Sequence, residues 1–317
     1  MEKPVIQVKD LYKIYRIGTN KVRALNGVDF SIDRGEFCCI VGTSGSGKST
    51  LLNMLAGLEK PTKGQIVIAG EHIETKNESQ LVNFRQAHVG FIFQSYNLMQ
   101  NMTAIENVAL PLTFQGVSRW EREARAKKML KLVGLGKYMR HKPGEMSGGQ
   151  QQRVGIARAL VVNPEIVFAD EPTGNLDSNT TLEVLQLIKK ISREKNQTMV
   201  MVTHDNYLAG FGDRIIQIKD GKIIRNVDNR EQAKAQMDAL LNQTAASAEQ
   251  EASGRETSAP PQELQSITEE NAGNTENAGS VENTGTIETA ETKNGSIWEE
   301  VNGSVTNTTN KRNEGDI

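Results

Sequence analysis

The 317-residue chain balances 37 Lys/Arg against 39 Asp/Glu and is long enough for one large domain or two small ones. Residues 242–317 hold 14 of the acids and only 4 of the bases, so a mildly basic body precedes an acidic tail. Such a body suits a polyphosphate or an anionic membrane surface and is too weakly charged to argue for nucleic acid. Met1-Glu2-Lys3-Pro4 runs straight into a strand with no secretion signal, and no apolar run approaches the ~20 residues of a membrane helix. The best stretch, Val154 to Ala169, is broken by Arg158, Asn163, Pro164 and Glu165. The body is therefore expected to be soluble by itself, with any membrane role exercised through a partner.

Residues 5–33 alternate apolar and polar in short pieces (Ile6, Val8, Leu11, then Val28, Phe30, Ile32), the pattern of a half-exposed antiparallel sheet. Ile66 to Gly70 reads as another strand of it. Tyr15 ends the first strand, where its ring can stack on a base or pack as an ordinary surface tyrosine. Phe37-Cys38-Cys39-Ile40-Val41 is short and apolar throughout, a buried parallel strand. Neighbours in a strand point to opposite faces, so the two adjacent cysteines are core residues rather than a disulfide.

Next comes Gly42-Thr43-Ser44-Gly45-Ser46-Gly47-Lys48-Ser49-Thr50, which fits G-x-x-x-x-G-K-[ST]. Leu51, Leu52, Met54 and Leu55 carry a helix on to Gly57. Strand, glycine loop and helix together make an anion cradle. The glycines let several N–H groups converge, and the helix dipole adds positive potential. Lys48 would reach the β- and γ-phosphates of a nucleotide, Ser49 would ligate Mg²⁺, and Thr50 would support the α/β-phosphate end.

Val89 to Phe93 is a strand ending at Gln94, a side chain able to ligate Mg²⁺ and orient a water. Residues 95–160 read as a helical insertion, with a helix from Glu121 to Val133 capped by Gly134. Met146-Ser147-Gly148-Gly149-Gln150 opens another helix, with Ser147 as N-cap. Bare amides, a hydroxyl and a helix dipole make a second phosphate-shaped surface. One nucleotide rarely needs two cradles on one polypeptide, which points to a dimer in which this one closes on the partner's nucleotide.

Glu165 to Pro172 is an apolar strand running into two acids. Asp170 would hold Mg²⁺ through water, and Glu171 would act as general base. Asp177 or Ser178 caps the following helix, whose buried stripe is Leu182, Leu185, Ile188 and Ile191. Thr198 to Thr203 is a strand that leads to His204, placed to hydrogen-bond a γ-phosphate. Ile215 to Ile224 reads as a hairpin with an Asp-Gly turn, and a helix from about Glu231 to Leu241 ends the folded body. Beyond it, Glu-Asn-x-Gly recurs every six residues from Glu270, a composition expected to be disordered.

Walker A, a strand-end glutamine, Ser-Gly-Gly-Gln, Asp-Glu-Pro and a following histidine occur in this order. The set resembles the nucleotide-binding subunit of ABC transporters over about residues 4–240. The resemblance implies an α/β fold: a P-loop NTPase (RecA-like) core, an antiparallel β subdomain and an inserted α-helical subdomain. The expected division is an ATP-binding domain over 4–242 and a tail over 243–317. By resemblance Tyr15 is the adenine-stacking aromatic, Gln94 the Q-loop, and Ser147, Gly148, Gly149 and Gln150 the signature. Asp177 is then the D-loop aspartate and His204 the switch histidine. Met146 stands where leucine is usual.

Ala169 to Ser178 further resembles the branch serving macrolide export, lipoprotein release and bacitracin-type peptide resistance. Members of that branch pair with a permease bearing large extracytoplasmic domains, and the acidic tail departs from the pattern. The resemblance implies a homodimeric ATPase using ATP and Mg²⁺, held at the cytoplasmic face of the membrane by its permease. A cell-division-type regulatory ABC ATPase, controlling wall hydrolases through a membrane partner, would carry nearly the same ATPase half. A DNA-repair or translation ATPase would show a coiled-coil insertion, zinc cysteines or a second cassette, and the sequence has none of these.

Overall fold

The structure, a computed structural model, describes residues 3–242. The expectation of a disordered tail over 243–317 lies outside the described residues.

Strands β1 (Ile6–Ile17) and β2 (Asn20–Ile32) pair antiparallel, with Tyr15 opposite Val22. β3 (Phe37–Val41) follows and is buried along its whole length, as its unbroken apolar run predicts. Loop residues 42–47 lead into helix α1 (Lys48–Leu55). β4 (Lys63–Ile68) and the short β5 (Glu71–His72) join the first two strands in an antiparallel sheet of order β2-β1-β4-β5. Helix α2 (Glu78–His88) starts at a reciprocal cap between Asn77 and Gln80 and leads into β6 (Val89–Ile92).

Three helices then run before the next strand. α3 (Ala104–Phe114) is capped by Thr103 and Glu106, and α4 (Arg119–Leu132) by Ser118. α5 (Gly148–Leu160) is capped by Ser147. α4 begins two residues before the expected Glu121 because the Ser118 hydroxyl accepts from Glu121 N, and it ends at Leu132, with Gly134 in the left-handed region as anticipated.

The chain returns through β7 (Ile166–Asp170), α6 (Ser178–Glu194) and β8 (Thr198–Thr203). A short α7 (Asn206–Ala209) precedes the hairpin of β9 (Arg214–Lys219) and β10 (Lys222–Asp228). Residues 230–242 are helical. The hairpin turns at Asp220 and Gly221, both left-handed (φ 50° and 73°), the geometry that favours Asp-Gly.

The second sheet has the order β10-β9-β3-β8-β7-β6 and is parallel except for β10 on β9. Its two faces feed separate cores. Cys38 and Ile40 pack with α1 and the antiparallel sheet, whereas Phe37, Cys39 and Val41 pack towards α5 and α6. The cysteines thus point opposite ways, as the strand period requires. Both are free and buried, and burial pushes the Cys39 thiol up to about 12, so neither is poised for redox chemistry. No helix among the described residues is long and apolar enough to cross a membrane.

β8 lies between β3 and β7, so the carboxyl ends of these three strands open at one sheet edge. That edge carries the glycine loop, Asp170-Glu171 and Thr203-His204, the position at which open α/β sheets hold ligands.

Candidate nucleotide site

The glycine loop is shaped by what presses on it. Gly47 has φ 102°, and a Cβ there would lie 2.4 Å from Ala24 O; a Cβ on Gly42 would lie 2.2 Å from Ile218 O. Only glycine fits at these two positions. The β9–β10 turn braces the loop, because Gly221 N donates to Ser46 O (3.1 Å) while Gly221 O accepts from Asn26 N (2.9 Å). Lys48, almost fully buried, donates from Nζ to Gly42 O and Thr43 O, each at 2.9 Å, so its ammonium lies over the loop it closes. Ser46 Oγ is buried with no hydrogen-bond partner among the described residues.

A cleft of about 750 Å³ opens over this loop. Thr43, Ser44, Gly45, Gly47, Lys48, Ser49 and Thr50 form its floor, and Val22, Arg23, Ala24, Glu171 and His204 its walls.

The acid strand reaches the same floor. Ser49 Oγ donates to Asp170 Oδ1 at 3.3 Å across the gap from α1 to β7. Burial holds the Asp170 carboxyl above its ordinary range; the neighbouring Glu171 charge pushes the same way, and the Ser49 hydrogen bond and Lys48 oppose it. Glu171 adopts the left-handed region (φ 43°), unusual for a non-glycine residue, with its N–H on Val202 O at 3.0 Å. Its Oε1 lies 3.1 Å from His204 Nδ1. His204 therefore meets Glu171 directly, at the cleft wall.

Other expected residues lie around this edge. Tyr15 is half-buried and donates its hydroxyl to Glu59 Oε2 at 2.7 Å; Lys13 Nζ lies 5.1 Å from its ring centre. Burial, reinforced by Glu59, holds its phenol above the ordinary value. Tyr15 is not part of the cleft lining, although its strand partner Val22 is. Gln94 is also absent from the lining. Its Nε2 lies 2.7 Å from where a Gly174 Cβ would be, and its carbonyl accepts from Asn175 Nδ2 (3.1 Å), so it abuts the turn after Glu171.

Ser147, Gly148, Gly149 and Gln150 are apart from the cleft and engaged with their own helix. Ser147 Oγ accepts from Gln150 N (3.3 Å), and Ser147 N donates to Gln150 Oε1 (3.0 Å). A Cβ on Gly149 would lie 2.6 Å from Thr180 Cγ2, so that glycine lets α5 approach α6. Asp177 is the N-cap of α6, accepting from Thr180 N at 3.0 Å, and this hydrogen bond holds its carboxyl below the usual range.

Sequence reasoning missed the wall formed by Val22 and Arg23, which no local pattern signals. It also missed two clamps. Gln152, wholly buried, donates to Pro172 O at 2.5 Å, and Arg158 donates to Tyr96 O (2.8 Å) and Asn97 O (2.6 Å), holding the segment after Gln94 to α5. No local pattern signals either.

Sheet order, glycine loop and acid strand define a P-loop NTPase core. Residues 25–174 match the family described as ABC transporter. An uncharacterised ABC transporter ATP-binding protein of Thermotoga maritima is 49% identical over 221 residues, covering 70% of this chain and 94% of that one. The ABC transporter ATP-binding protein YtrE of Bacillus subtilis is 48% identical, covering 68% and 96%. The macrolide export ATP-binding/permease protein MacB of Hyphomonas neptunium is 44% identical over 74% of this chain but only 36% of its own length. Among solved structures, a dimeric post-hydrolysis state of the ATP-binding cassette MJ0796 bound to ADP and Pi superposes with TM-score 0.67 and 44% identity, covering 71% of this chain and 99% of that one. The chain belongs to the ABC transporter family, as one of its ATP-binding proteins.

Proposed function

We propose that residues 4–242 are an ATP-binding and ATP-hydrolysing domain that works as a homodimer and drives a separate membrane permease at the cytoplasmic face. The observation that carries this reading is the meeting of Ser49 with Asp170 and of Glu171 with His204 at one cleft floored by the glycine loop. The permease partner is supported by MacB, named as an ATP-binding/permease protein. The dimer is supported by the dimeric MJ0796 cassette. Macrolide export, lipoprotein release or antimicrobial-peptide resistance is the branch proposed from Ala169 to Ser178, with a permease bearing an extracytoplasmic domain.

The residues fit a nucleotide with Mg²⁺. Gly42 and Gly47 admit backbone where a Cβ would collide, Ser46 Oγ has no partner among the described residues, and Ser49 and Asp170 offer hard oxygen donors side by side. Lys48 leaves the carbonyls of Gly42 and Thr43 to meet the β- and γ-phosphates. Ser49 and Asp170 would hold Mg²⁺, with Gln94 joining them on closure, and Thr50 would meet the α/β-phosphate end. When bound, the metal would supply positive charge against that of the phosphates. Tyr15 would stack on adenine. His204 fixes Glu171 through Oε1, leaving Oε2 to take the proton of the attacking water. Ser147, Gly148, Gly149 and Gln150 would close on the γ-phosphate held by the partner copy, with Asp177 at the same junction.

Replacing Glu171 by Gln tests this. Hydrolysis is expected to fall by about 10²–10⁴, while ATP still binds and gel filtration with ATP shows a dimer. Normal phosphate release by that variant would remove Glu171 from the mechanism.

A further inference from the structure

The α3–α4 hairpin presents a surface that nothing in the nucleotide chemistry uses. Phe114 ends α3 and is 67% exposed; Trp120 opens α4 and is 82% exposed. The turn between them is well fixed. Gly116 is left-handed (φ 74°), Val117 N donates to Leu112 O at 3.1 Å, and the Val117 side chain packs on the core. Ser118 caps the next helix. Two aromatic rings are therefore held out on either side of an anchored turn. A single exposed apolar residue is ordinary; a pair at one tip calls for a reason.

Charge supplies it. Trp120, Ala124, Lys127 and Lys131 follow one another at helical spacing and all are exposed, forming one stripe along α4. The helix has two acids, and each is taken by an arginine of the same helix: Glu121 by Arg125 and Glu123 by Arg119, whose Nε lies 3.0 Å away. Glu106 of α3 is bound to its own cap, Thr103. Lys127 and Lys131 make no salt bridge among the described residues, and Lys137 and Arg140 are exposed just beyond. Lys127 also feels Glu123 one turn back, but α4 carries six bases against two acids, so the stripe is aromatic at its start and net positive along its length.

We propose that this hairpin tip rests on an anionic lipid surface, with Trp120 and Phe114 at headgroup depth and Lys127 and Lys131 on the lipid charges. Rings of this kind favour the membrane–water boundary, and clustered lysines add electrostatic attraction to acidic headgroups. Exposed rings continued by lysines are the composition of an interfacial contact, which favours a lipid surface over a protein partner here. The contact would fix how the domain sits under the bilayer without using any nucleotide-binding residue.

The chain has two tryptophans, Trp120 and Trp298, so the full-length Trp298→Phe variant makes Trp120 the sole indole reporter. Titrated with phosphatidylserine/phosphatidylcholine vesicles, its emission is expected to shift blue and to lose acrylamide quenching, with reversal by salt. Pure phosphatidylcholine vesicles should do neither. Adding Lys127→Glu and Lys131→Glu should weaken the apparent vesicle affinity about 10-fold or more while leaving ATP turnover in solution unchanged. Loss of the salt-sensitive shift on anionic vesicles overturns the proposal, and salt reversal of the Trp298→Phe protein's own shift keeps the test valid if the lysine variant folds poorly. Emission already blue and protected without lipid, and released by salt, would assign the surface to the chain's own acidic residues 243–317 instead. A shift seen only in permease-containing membranes, whatever their lipid charge, would assign it to a protein. Inactive nucleotide chemistry would leave all of these readouts intact, so the two readings fail separately.

Discussion

The glycine loop and the Ser147–Gln150 stretch are made of the same parts: serine, glycines and a helix start. They are in opposite conditions. In the loop, Gly42 and Gly47 are pressed against carbonyls of other strands, Ser46 Oγ has no partner among the described residues, and the cleft opens above. At the start of α5 the hydroxyl and amide of Ser147 are both spent on Gln150, and Gly149 is spent on the approach to Thr180. The comparison separates a receptor built by the fold from a surface that serves first as a helix end. Under the proposed function, the second becomes a receptor only through what a partner copy brings to it.

Substitutions at the two places sharpen that difference. Gly47→Ala should have the largest effect, since its Cβ meets a backbone carbonyl at 2.4 Å and its φ is 102°. Nucleotide affinity, measured by calorimetric titration, is expected to drop on the order of 100-fold, with about 1–3 kcal/mol lost in chemical denaturation. Ser147→Asp comes next. Aspartate caps a helix as well as serine, so stability should stay within about 0.5 kcal/mol. A carboxylate facing the partner's γ-phosphate should nevertheless slow hydrolysis roughly 10-fold or more. An unchanged rate would leave Ser147 a cap and nothing else.

The smallest expected effect is on stability at Asp170. Burial raises its folded pKa above 3.8, so the folded chain holds that proton more tightly than the unfolded chain. The stability this gives is fully present below the unfolded pKa and is lost as pH rises through the folded one. Asp170→Asn removes the ionisation, so the melting temperature of the nucleotide-free protein should rise at neutral pH and change little below the carboxylate range. Hydrolysis should be lost. Calorimetry across that pH range checks the sign; a fall in melting temperature at neutral pH would contradict it.

Local patterns carried much of the fold. The buried β3, the opposed cysteines, the Ser147 cap and the Asp220-Gly221 turn each follow from a few neighbouring residues. Two helices carried readable starts that were passed over: Asn77 with Gln80, and Thr103 with Glu106. What stayed hidden depends on distant packing. Val22 and Arg23 reach the cleft because β2 leans on Gly47 and Gly221, and neither contact has a signature near residue 22. Gln94 was expected near the metal from its place at a strand end in a chain with a P-loop; its neighbours Gly174 and Asn175, which tie it to the turn after Glu171, could not be read from that position.

Arg158 gives α5 a further consequence. The helix starts at Ser147 and, near its other end, hooks the carbonyls of Tyr96 and Asn97, two residues in left-handed conformations just past Gln94. Charge-assisted bonds of this length do not stretch cheaply. One helix thus joins the Ser147 cap to the 96–97 corner, so Arg158→Ala is expected to loosen that corner while leaving the cap in place.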